Sequence, residues 1–476
     1  MAGGRRRVGL IGARKAAGHT QESLAAELHV DRSTVIRWEA GDHAPLPYLW
    51  PRLARLLSQS QEQLRELIGD DPDIRPEADR PSFSVYESLP SSDVTVARSQ
   101  EAWRKVRSYL RRHGVDLAKR AARLYDPAWR VSQTPTLALP GWLPSHPVPI
   151  ASVMLKWIPE PLGPVLTGQE AELRAVLPLR APRHAFPGYA SAIRYLDPPS
   201  LFENRPSYRL LDVFWEPSGQ GTLQFGLATF FDKLDVAEAL SHEFAAAVAE
   251  GFSSALPQLP FRALLSRPFD LSTRMATTSI DTLTLRRNTT DGSCTFLLLD
   301  RDPAKVAVGG SEYGVIPAGE FQPASISPNS TLADLNLWRN VVREYGEELL
   351  GQLEHDGSSG KPLTYECWPF YHAMQRAREA GHLRAHVLGV VLHALSLNPS
   401  ILTAVIIDDI VFDDLFRDLV AANGEGRVVK SLSNDQSVYG LPFTEATVRQ
   451  FLDHERIGGT SAACLALAWQ HRESLV

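Results

Sequence analysis

The sequence predicts a multidomain protein in which a small all-α head precedes a larger α+β body. Residues 1–70 show short helical patterns, and a segment rich in proline, serine and aspartate, which predicts a linker, follows at 71–95. Beyond it, strand-like and helix-like patterns occur in mixed order, which is typical of α+β architecture. The length of 476 residues agrees with about two to four domains.

Composition excludes several classes of protein. Apolar residues make up 44% and charged residues 22% of the chain, as in an average globular protein and unlike a disordered or collagen-like one. The apolar runs fall short of the ~18 residues that span a bilayer. Cys294, Cys367 and Cys464 are too far apart for a disulfide framework or a paired-cysteine metal site, so a reducing compartment fits best. We therefore expect a cytoplasmic protein with no membrane partner.

Positive charge is concentrated in one predicted helix. The net charge is −6, which argues against a protein that coats nucleic acid but is compatible with a local DNA-binding patch. A connecting helix is predicted at 96–126, in which Lys and Arg far outnumber acids and Trp103 and Leu110 fall on one apolar stripe. Two interpretations are open: a solvated basic face, or a helix that contacts phosphates or a second copy of the chain.

The body is expected to contain a Pro-rich α+β middle domain at 127–269 and a C-terminal domain at 270–476. His242 and Glu243 are expected on a helix surface, because no second histidine follows at a zinc-binding spacing. The predicted elements are a strand at 221–231, a helix at 235–252, a hairpin of 280–287 with 294–300, a helix at 332–350, apolar runs at 383–395 and 401–407, and helices at 444–454 and 460–472.

A two-helix motif occupies the centre of the head. Thr20 is a good N-cap for a helix over 21–28, and Asp31 is a good N-cap for a second helix over 32–39. Apolar residues are placed to fill the inside corner between the two helices, and the small side chain of Ala25 lets them approach closely. Two short helices joined in this way predict a helix-turn-helix.

The segment HTQESLAAELHVDRSTVIRWEAG resembles the Cro/C1-type helix-turn-helix of the xenobiotic-response-element family of bacterial transcription regulators, over about residues 8–68 and five short helices. The resemblance implies that the second helix enters the major groove, where Arg32, Ser33, Thr34 and Arg37 read bases or phosphates, and that Gln21 clamps a phosphate. It also implies a homodimer on a pseudo-palindromic operator in double-stranded DNA. The alternative is a helical hairpin that serves only dimerisation.

The predicted helix 332–350 has two distinct faces. Stepping about 100° per residue places Val341, Val342, Tyr345 and Leu349 in one stripe with Trp338. The three carboxylates Glu344, Glu347 and Glu348 fall together on a flank, where they repel one another. A hard cation bound by their oxygens would reverse that repulsion.

Arg343–Glu348 (REYGEE) resembles the core of the Nudix box, and Gly319–Glu320 resembles the loop that precedes this box. The resemblance implies an αβα sandwich over 270–476, Mg²⁺ held by Glu344, Glu347 and Glu348, and a ligand held by Gly319, Glu320 and Arg343. Asn329 and Leu335 replace the glycine and the upstream glutamate of the consensus, so we expect effector binding rather than turnover, and no catalytic residue is assigned. The alternative is a solvated acidic face in another α+β fold.

Together these patterns predict a DNA-binding transcription regulator whose C-terminal domain senses a small phosphorylated or nucleotide-like effector. Two alternatives remain open at the level of sequence. One is a metal-dependent hydrolase of nucleoside-diphosphate derivatives with an autoregulatory DNA-binding head. The other is a scaffold that docks on DNA and recruits protein.

Overall fold

The computed structural model describes two compact units, a head within residues 1–89 and a body that contains the described residues from 94 onward. The described residues are 7–28, 32–40, 45, 50–57, 59, 63–64, 67, 94–159, 163–164, 166–199, 202–217, 219–251, 258–301, 312–325, 328–352, 363–419, 426–429 and 440–476. The predicted linker at 71–95 therefore lies outside them, apart from its last two residues.

The head is helical wherever its elements are described. Its helices are α1 (Val8–Ala16), α2 (Gln21–Leu28), α3 (Arg32–Ala40) and α4 (Trp50–Leu56). Thr20 caps α2, since its Oγ1 accepts from the backbone N–H of Ser23 at 2.9 Å. The predicted cap at Asp31 lies outside the described residues, as does most of the predicted fifth helix, of which 63–64 and 67 are helical.

The head has its own hydrophobic core, and the predicted inside corner between α2 and α3 belongs to it. Ala25 is buried there, as are Leu24, Leu28, Val35 and Trp38. The core is completed by Leu10, Ala13, Leu53, Ala54, Leu57 and Leu64.

The described helices of the body follow most of the predicted ones. The predicted helix 332–350 is divided in two, because α10 begins afresh after Asn336, whose Oδ1 accepts from the backbone N–H of Arg339 at 3.0 Å. The helices are α5 (Val94–Ala121), α6 (Tyr189–Leu196), α7 (Phe230–Ala249), α8 (Pro260–Ala263), α9 (Pro328–Ala333), α10 (Leu337–Glu348), α11 (Pro369–Glu379), α12 (Asp409–Leu415), α13 (Glu445–Asp453), α14 (Gly459–Gln470) and α15 (Arg472–Leu475).

The strands of the body form several sheets among the described residues. The strands are β1 (Thr136–Leu137), β2 (Val148–Pro149), β3 (Val153–Trp157), β4 (Leu179–Ala181), β5 (His184–Ala185), β6 (Pro206–Trp215), β7 (Gly221–Thr229), β8 (Ser279–Arg287), β9 (Cys294–Phe296), β10 (Leu298–Arg301), β11 (Tyr313–Val315), β12 (Ala318–Glu320), β13 (Leu383–His393), β14 (Pro399–Asp408), β15 (Gly426–Val429) and β16 (Leu441–Pro442). The predicted hairpin of 280–287 with 294–300 is present in part, as the antiparallel pair β8 and β9. Residues 298–300 belong instead to β10, which lies in a different sheet.

The largest described sheet has eight strands and draws on both predicted domains of the body. Its main path is β1-β13-β14-β8-β9-β16, in which β14 and β8 run parallel. β12 pairs with β8, and β2 pairs with β13. β1 and β2 come from the Pro-rich region at 127–269, so the sheet crosses the predicted boundary at 269/270.

Two smaller described sheets complete the body, β11-β10-β15 and β3-β7-β6, beside the hairpin β4-β5. α14 packs on β8, β13 and β14, and α10 packs on β8 and β12. This arrangement is an α+β body, and the αβα sandwich over 270–476 stays a prediction.

The basic helix α5 is part of the body's core. Trp103 and Leu110 are buried on one side of it, as the apolar stripe predicts. Arg107, counted among its basic residues, is 1% exposed and pairs with Glu238 and Asp197, both at 2.9 Å. Its burial is possible because both carboxylates accept hydrogen bonds from the guanidinium.

The surface position expected for His242 and Glu243 is wrong, because α7 is covered on several sides. His242 is buried, with its Nδ1 2.9 Å from the Tyr189 hydroxyl. Glu243 is buried where it accepts the backbone N–H groups of Phe261 at 2.7 Å and Arg262 at 2.9 Å. Glu243 thereby satisfies N–H groups at the start of α8, which have no partner within that helix.

Arg262 connects distant parts of the body. It is fully buried and donates to the Tyr125 hydroxyl at 2.9 Å and to the carbonyl of Ala394 at 3.1 Å. It also donates to the carbonyls of Leu240 and Leu395. One side chain therefore satisfies main-chain groups on both sides of the predicted boundary at 269/270.

Candidate DNA-binding surface and effector site

A buried ion pair sets the geometry of the head. Arg14 of α1 and Glu39 of α3 are both buried, and Nε of Arg14 lies 2.6 Å from Oε1 of Glu39. Arg14 also donates to the carbonyl of His19 at 2.7 Å, in the connection between α1 and α2. Because the guanidinium donates in several fixed directions, it ties α1, this connection and α3 together. The pair was not predicted from the sequence. The signal that could have indicated it is the charged residue Glu39 on the apolar side of α3.

Gln21, predicted to clamp a phosphate, is the first residue of α2 and is half-buried. Its Nε2 donates to Oε2 of Glu39 at 2.6 Å, so the amide is already oriented by the buried pair. A first-turn N–H has no partner within its own helix and is a natural phosphate donor. The phosphate role of Gln21 stays a prediction.

The exposed face of α3 carries the predicted base-reading residues. Val35 and Trp38 are buried, whereas Arg32 and Arg37 are exposed and Thr34 is half-buried. Ser33 lies in α3, but its side chain falls outside the described residues. The burial pattern therefore places Arg32 and Arg37 on the side of the helix away from the head's core.

Ile36, which was not among the predicted site residues, is 41% exposed. At about 100° per residue, Ile36 lies about 40° from Arg32 and 100° from Arg37 around the helix axis. An apolar side chain thus sits between two cationic ones on the exposed face. Side chains of this kind contact the 5-methyl group of thymine in the major groove.

In the body, the two segments that resemble Nudix sequence pack against each other. Oε1 of Glu348 accepts from the backbone N–H of Ala318 at 3.0 Å. Arg343 donates to the carbonyl of Gln322 at 2.5 Å, and Oδ1 of Asn340 accepts from the N–H of Gln322 at 3.3 Å. Residues at positions i, i+3 and i+8 of α10 therefore hold the segment 318–322 against one face of the helix.

Gly319 allows this close approach. A Cβ at residue 319 would overlap the carboxyl group of Glu344, so a larger residue could not occupy the position without displacing that carboxyl group. Gly319 pairs with Ile280 of β8, which fixes its backbone in the large sheet. The close packing of Gly319 and Glu344 joins the two predicted ligand-binding segments at one place.

Arg343 and Glu320 both have partners within the body. Arg343 is buried and donates to the Tyr365 hydroxyl at 2.7 Å, with Asp334 at 3.6 Å. Burial raises the pKa of Tyr365 above its ordinary value, so the phenol stays protonated and donates to Asp334 at 2.7 Å. Glu320 accepts from the Ser207 hydroxyl at 2.6 Å and pairs with Lys233. Their predicted ligand-binding roles stay predictions.

Two of the three predicted magnesium ligands, Glu344 and Glu348, lie against adjacent residues of β12. Glu344 faces Gly319, Glu348 accepts from Ala318, and Glu347 is half-buried. Across the described part of the chain, no group of three or more His, Cys, Asp or Glu side chains could hold a metal ion. Mg²⁺ binding by these three residues therefore stays a prediction.

The head, with its packed inside corner and exposed second helix, is a helix-turn-helix. Residues 11–67 match the family model described as Helix-turn-helix, in agreement with this geometry. The chain therefore carries a helix-turn-helix of the Cro/C1 type, and this domain supports its assignment as a DNA-binding transcription regulator. No curated protein matches the chain. Within the described residues, no helix is both long and apolar enough to cross a membrane.

Proposed function

We propose that this regulator binds a pseudo-palindromic operator as a homodimer and responds to a small phosphorylated or nucleotide-like effector held by the Nudix-like part of its body. The exposed face of α3 carries the DNA-binding half of the proposal. Arg32, Ile36 and Arg37 supply two guanidinium groups for guanine or phosphate and one apolar group for a thymine methyl. Ser33 and Thr34 complete the predicted reading set.

The DNA-binding half can be tested on operators selected from a pool of random duplexes with the full-length chain. Arg32→Ala with Arg37→Ala should weaken operator binding by ~1–3 kcal/mol for each base that is no longer recognised, with folding intact. Arg417→Ala with Arg449→Ala removes the same charge from exposed positions of the body and should leave the affinity unchanged. Equal affinities for the two double variants, measured by fluorescence anisotropy, would refute the base-reading role.

The effector half is carried by the contact between Gly319 and the Glu344 carboxyl group. The two Nudix-like segments lie apart in the sequence, yet the hydrogen bonds from Ala318 and Gln322 to α10 hold them together. Such a junction, built on rigid elements, supports a binding site better than two separate loops would. Magnesium binding stays a prediction, because no group of three or more His, Cys, Asp or Glu side chains in the described part of the chain could hold a metal ion.

The test of the effector half compares two glycine substitutions. Gly319→Ala should displace Glu344, whereas Gly141→Ala adds a methyl group where nothing lies within 4 Å. Nucleoside-diphosphate derivatives such as ADP-ribose are titrated, with and without Mg²⁺, against the protein bound to labelled operator. We expect one class of compound to change operator affinity for wild type and Gly141→Ala, but not for Gly319→Ala.

Two results would count against this half of the proposal. If no compound changes operator affinity, or if Gly319→Ala responds like Gly141→Ala, the junction is not an effector site. Release of phosphate or nucleotide that Glu347→Gln abolishes would instead identify the body as an enzyme.

A further inference from the structure

The sheet β3-β7-β6 leaves one face exposed on the body. β7 lies in the middle, parallel to β3 and antiparallel to β6. Met154 and Phe214 both pair with Thr222, so these three residues form a row across the sheet. Met154 is 66% exposed and Phe214 is 53% exposed. The row therefore presents two large apolar side chains to solvent.

A second row on the same face is polar. Lys156 and Asp212 both pair with Gln224, two residues along β7 from Thr222. Side chains two residues apart in a strand point to the same side of the sheet. Lys156 and Asp212 are exposed and stand at opposite edges of the sheet. The row thus carries a positive charge at one end and a negative charge at the other.

We propose that this face binds the same face of a second copy of the chain, about a two-fold axis that runs parallel to β7, midway between the two faces. Rotation about that axis exchanges the β3 and β6 edges and keeps each row opposite itself. Lys156 then faces the Asp212 position of the second copy, and Met154 faces its Phe214 position. The interface is isologous and complementary in charge and polarity.

The alternative two-fold axis in the plane of the sheet, across the strands, is less favourable. It would place the apolar row against the polar row, so Met154 and Phe214 would be buried against charged groups without a partner. Face-to-face packing of sheets brings them about 10 Å apart, a distance that Lys and Asp side chains can bridge. The axis along β7 is therefore the one that the charges select.

The patch also indicates how strong the association is. Stable interfaces use about 20–30 residues from each partner, and the two rows supply far fewer. The inferred dimer is therefore weak in solution, and two adjacent half-sites on DNA would strengthen it by raising the effective concentration. The biological role of this dimer rests on the proposed operator binding, but the contact itself can be measured without DNA.

Charge exchange tests the contact in the full-length chain. Sedimentation equilibrium of wild type should show a reversible monomer–dimer equilibrium. Lys156→Asp or Asp212→Lys alone should weaken dimerisation about tenfold, because the symmetry repeats each like-charge contact. The two substitutions together should restore it. Lys105→Asp reverses an exposed charge on α5 and should have no effect.

A cross-link tests the position of the axis. Thr222 faces its own position in the second copy across the axis, so Thr222→Cys in a Cys367→Ser background should cross-link to itself with a short bismaleimide. Cys367 is replaced because it is the exposed cysteine. A monomeric wild type, a double charge exchange that fails to restore dimerisation, or a dimer without this cross-link would overturn the inference. Binding to a single half-site separates these results from a failure of DNA binding, because Lys156→Asp should retain it.

Discussion

At the scale of single residues, Glu39 joins three parts of the head. Its carboxylate accepts from Arg14 and from Gln21, each at 2.6 Å, and its backbone carbonyl accepts from the N–H of Arg7 at 2.8 Å. Arg14 and Glu39 are both buried. Removing one partner of a buried ion pair leaves the other charge uncompensated, which is more harmful than replacing both.

We therefore expect Glu39→Ala to destabilise the head by about 3–5 kcal/mol. Arg14→Met combined with Glu39→Leu should recover much of that loss, because no charge is then buried. Scanning calorimetry of the full-length chain measures the head's transition, and Glu27→Ala, at an exposed position of α2, is the control. A head transition unchanged by Glu39→Ala would contradict the structural role of the pair.

His242 is a second residue whose environment controls its charge. It stacks on Trp103, with ring centroids 5.7 Å apart. Burial, and then the nearby Arg107, lower the pKa of His242 to about 3. At pH values between the ordinary pKa of 6.5 and the lowered pKa of about 3, His242 binds a proton in the unfolded chain but not in the folded chain. The neutral His242 side chain therefore makes its full contribution to the body's free energy of unfolding above pH 6.5, and this contribution is lost as the pH falls.

Acidification from pH 7 to pH 5 should therefore lower the free energy of unfolding of wild type by about 2 kcal/mol more than that of His242→Gln. Urea unfolding of the body at the two pH values measures the difference, and each variant serves as its own reference at pH 7. His184→Gln, at an exposed position, should behave like wild type. Equal losses for His242→Gln and wild type would show that this histidine is not held neutral.

At the scale of elements, the crossing of α2 and α3 depends on the small side chain of Ala25, which is 3% exposed. Ala25→Leu should overpack the inside corner and destabilise the head by ~1–3 kcal/mol. Ala16→Leu adds the same atoms at an exposed position of α1 and should have little effect. Calorimetry showing no difference between the two variants would place Ala25 outside the tight contact.

Local patterns predicted many elements correctly. Helical caps and periodicity predicted α2 and α3, and the apolar runs at 383–395 and 401–407 coincide with β13 and β14. The predicted single helix at 332–350 failed because the local cap at Asn336 outweighs the continuous apolar stripe. Periodicity detects a stripe but not an interruption in the backbone that produces it.

The candidate sites were predictable only in part. The exposure of Arg32 and Arg37 follows from the helical pattern, since Val35 and Trp38 occupy the opposite face. The partners of Glu39, Arg107 and His242 could not be predicted, because each partner lies far from its residue in the sequence. A buried charge is allowed only by partners that the whole fold supplies.

At the scale of the whole molecule, the largest described sheet spans the predicted boundary at 269/270. β1 and β2 supply edge pairings to β13, and Arg262 satisfies the carbonyls of Ala394 and Leu395. A fragment of 270–476 would lack the partners of these backbone groups, and each group that stays buried without a partner costs about 1–3 kcal/mol.

We expect a fragment of 94–476 to unfold in one cooperative transition like that of the body in the full-length chain. The fragment 270–476 should aggregate or bind a hydrophobic dye, and hydrogen exchange should show weak protection over 383–393. A soluble 270–476 fragment with full protection of this strand would show that β1, β2 and Arg262 are dispensable.

The shared sheet also limits how such a protein can be recombined. Exchange of genetic segments between the described head residues and residue 94 would give the same body a different operator, because no strand of the described sheets is cut there. Exchange at residue 270 would separate β1 and β2 from β13, so each half would need a partner that evolved with it. We therefore expect recombination to keep the body together as one module and to change operator specificity by replacing the head.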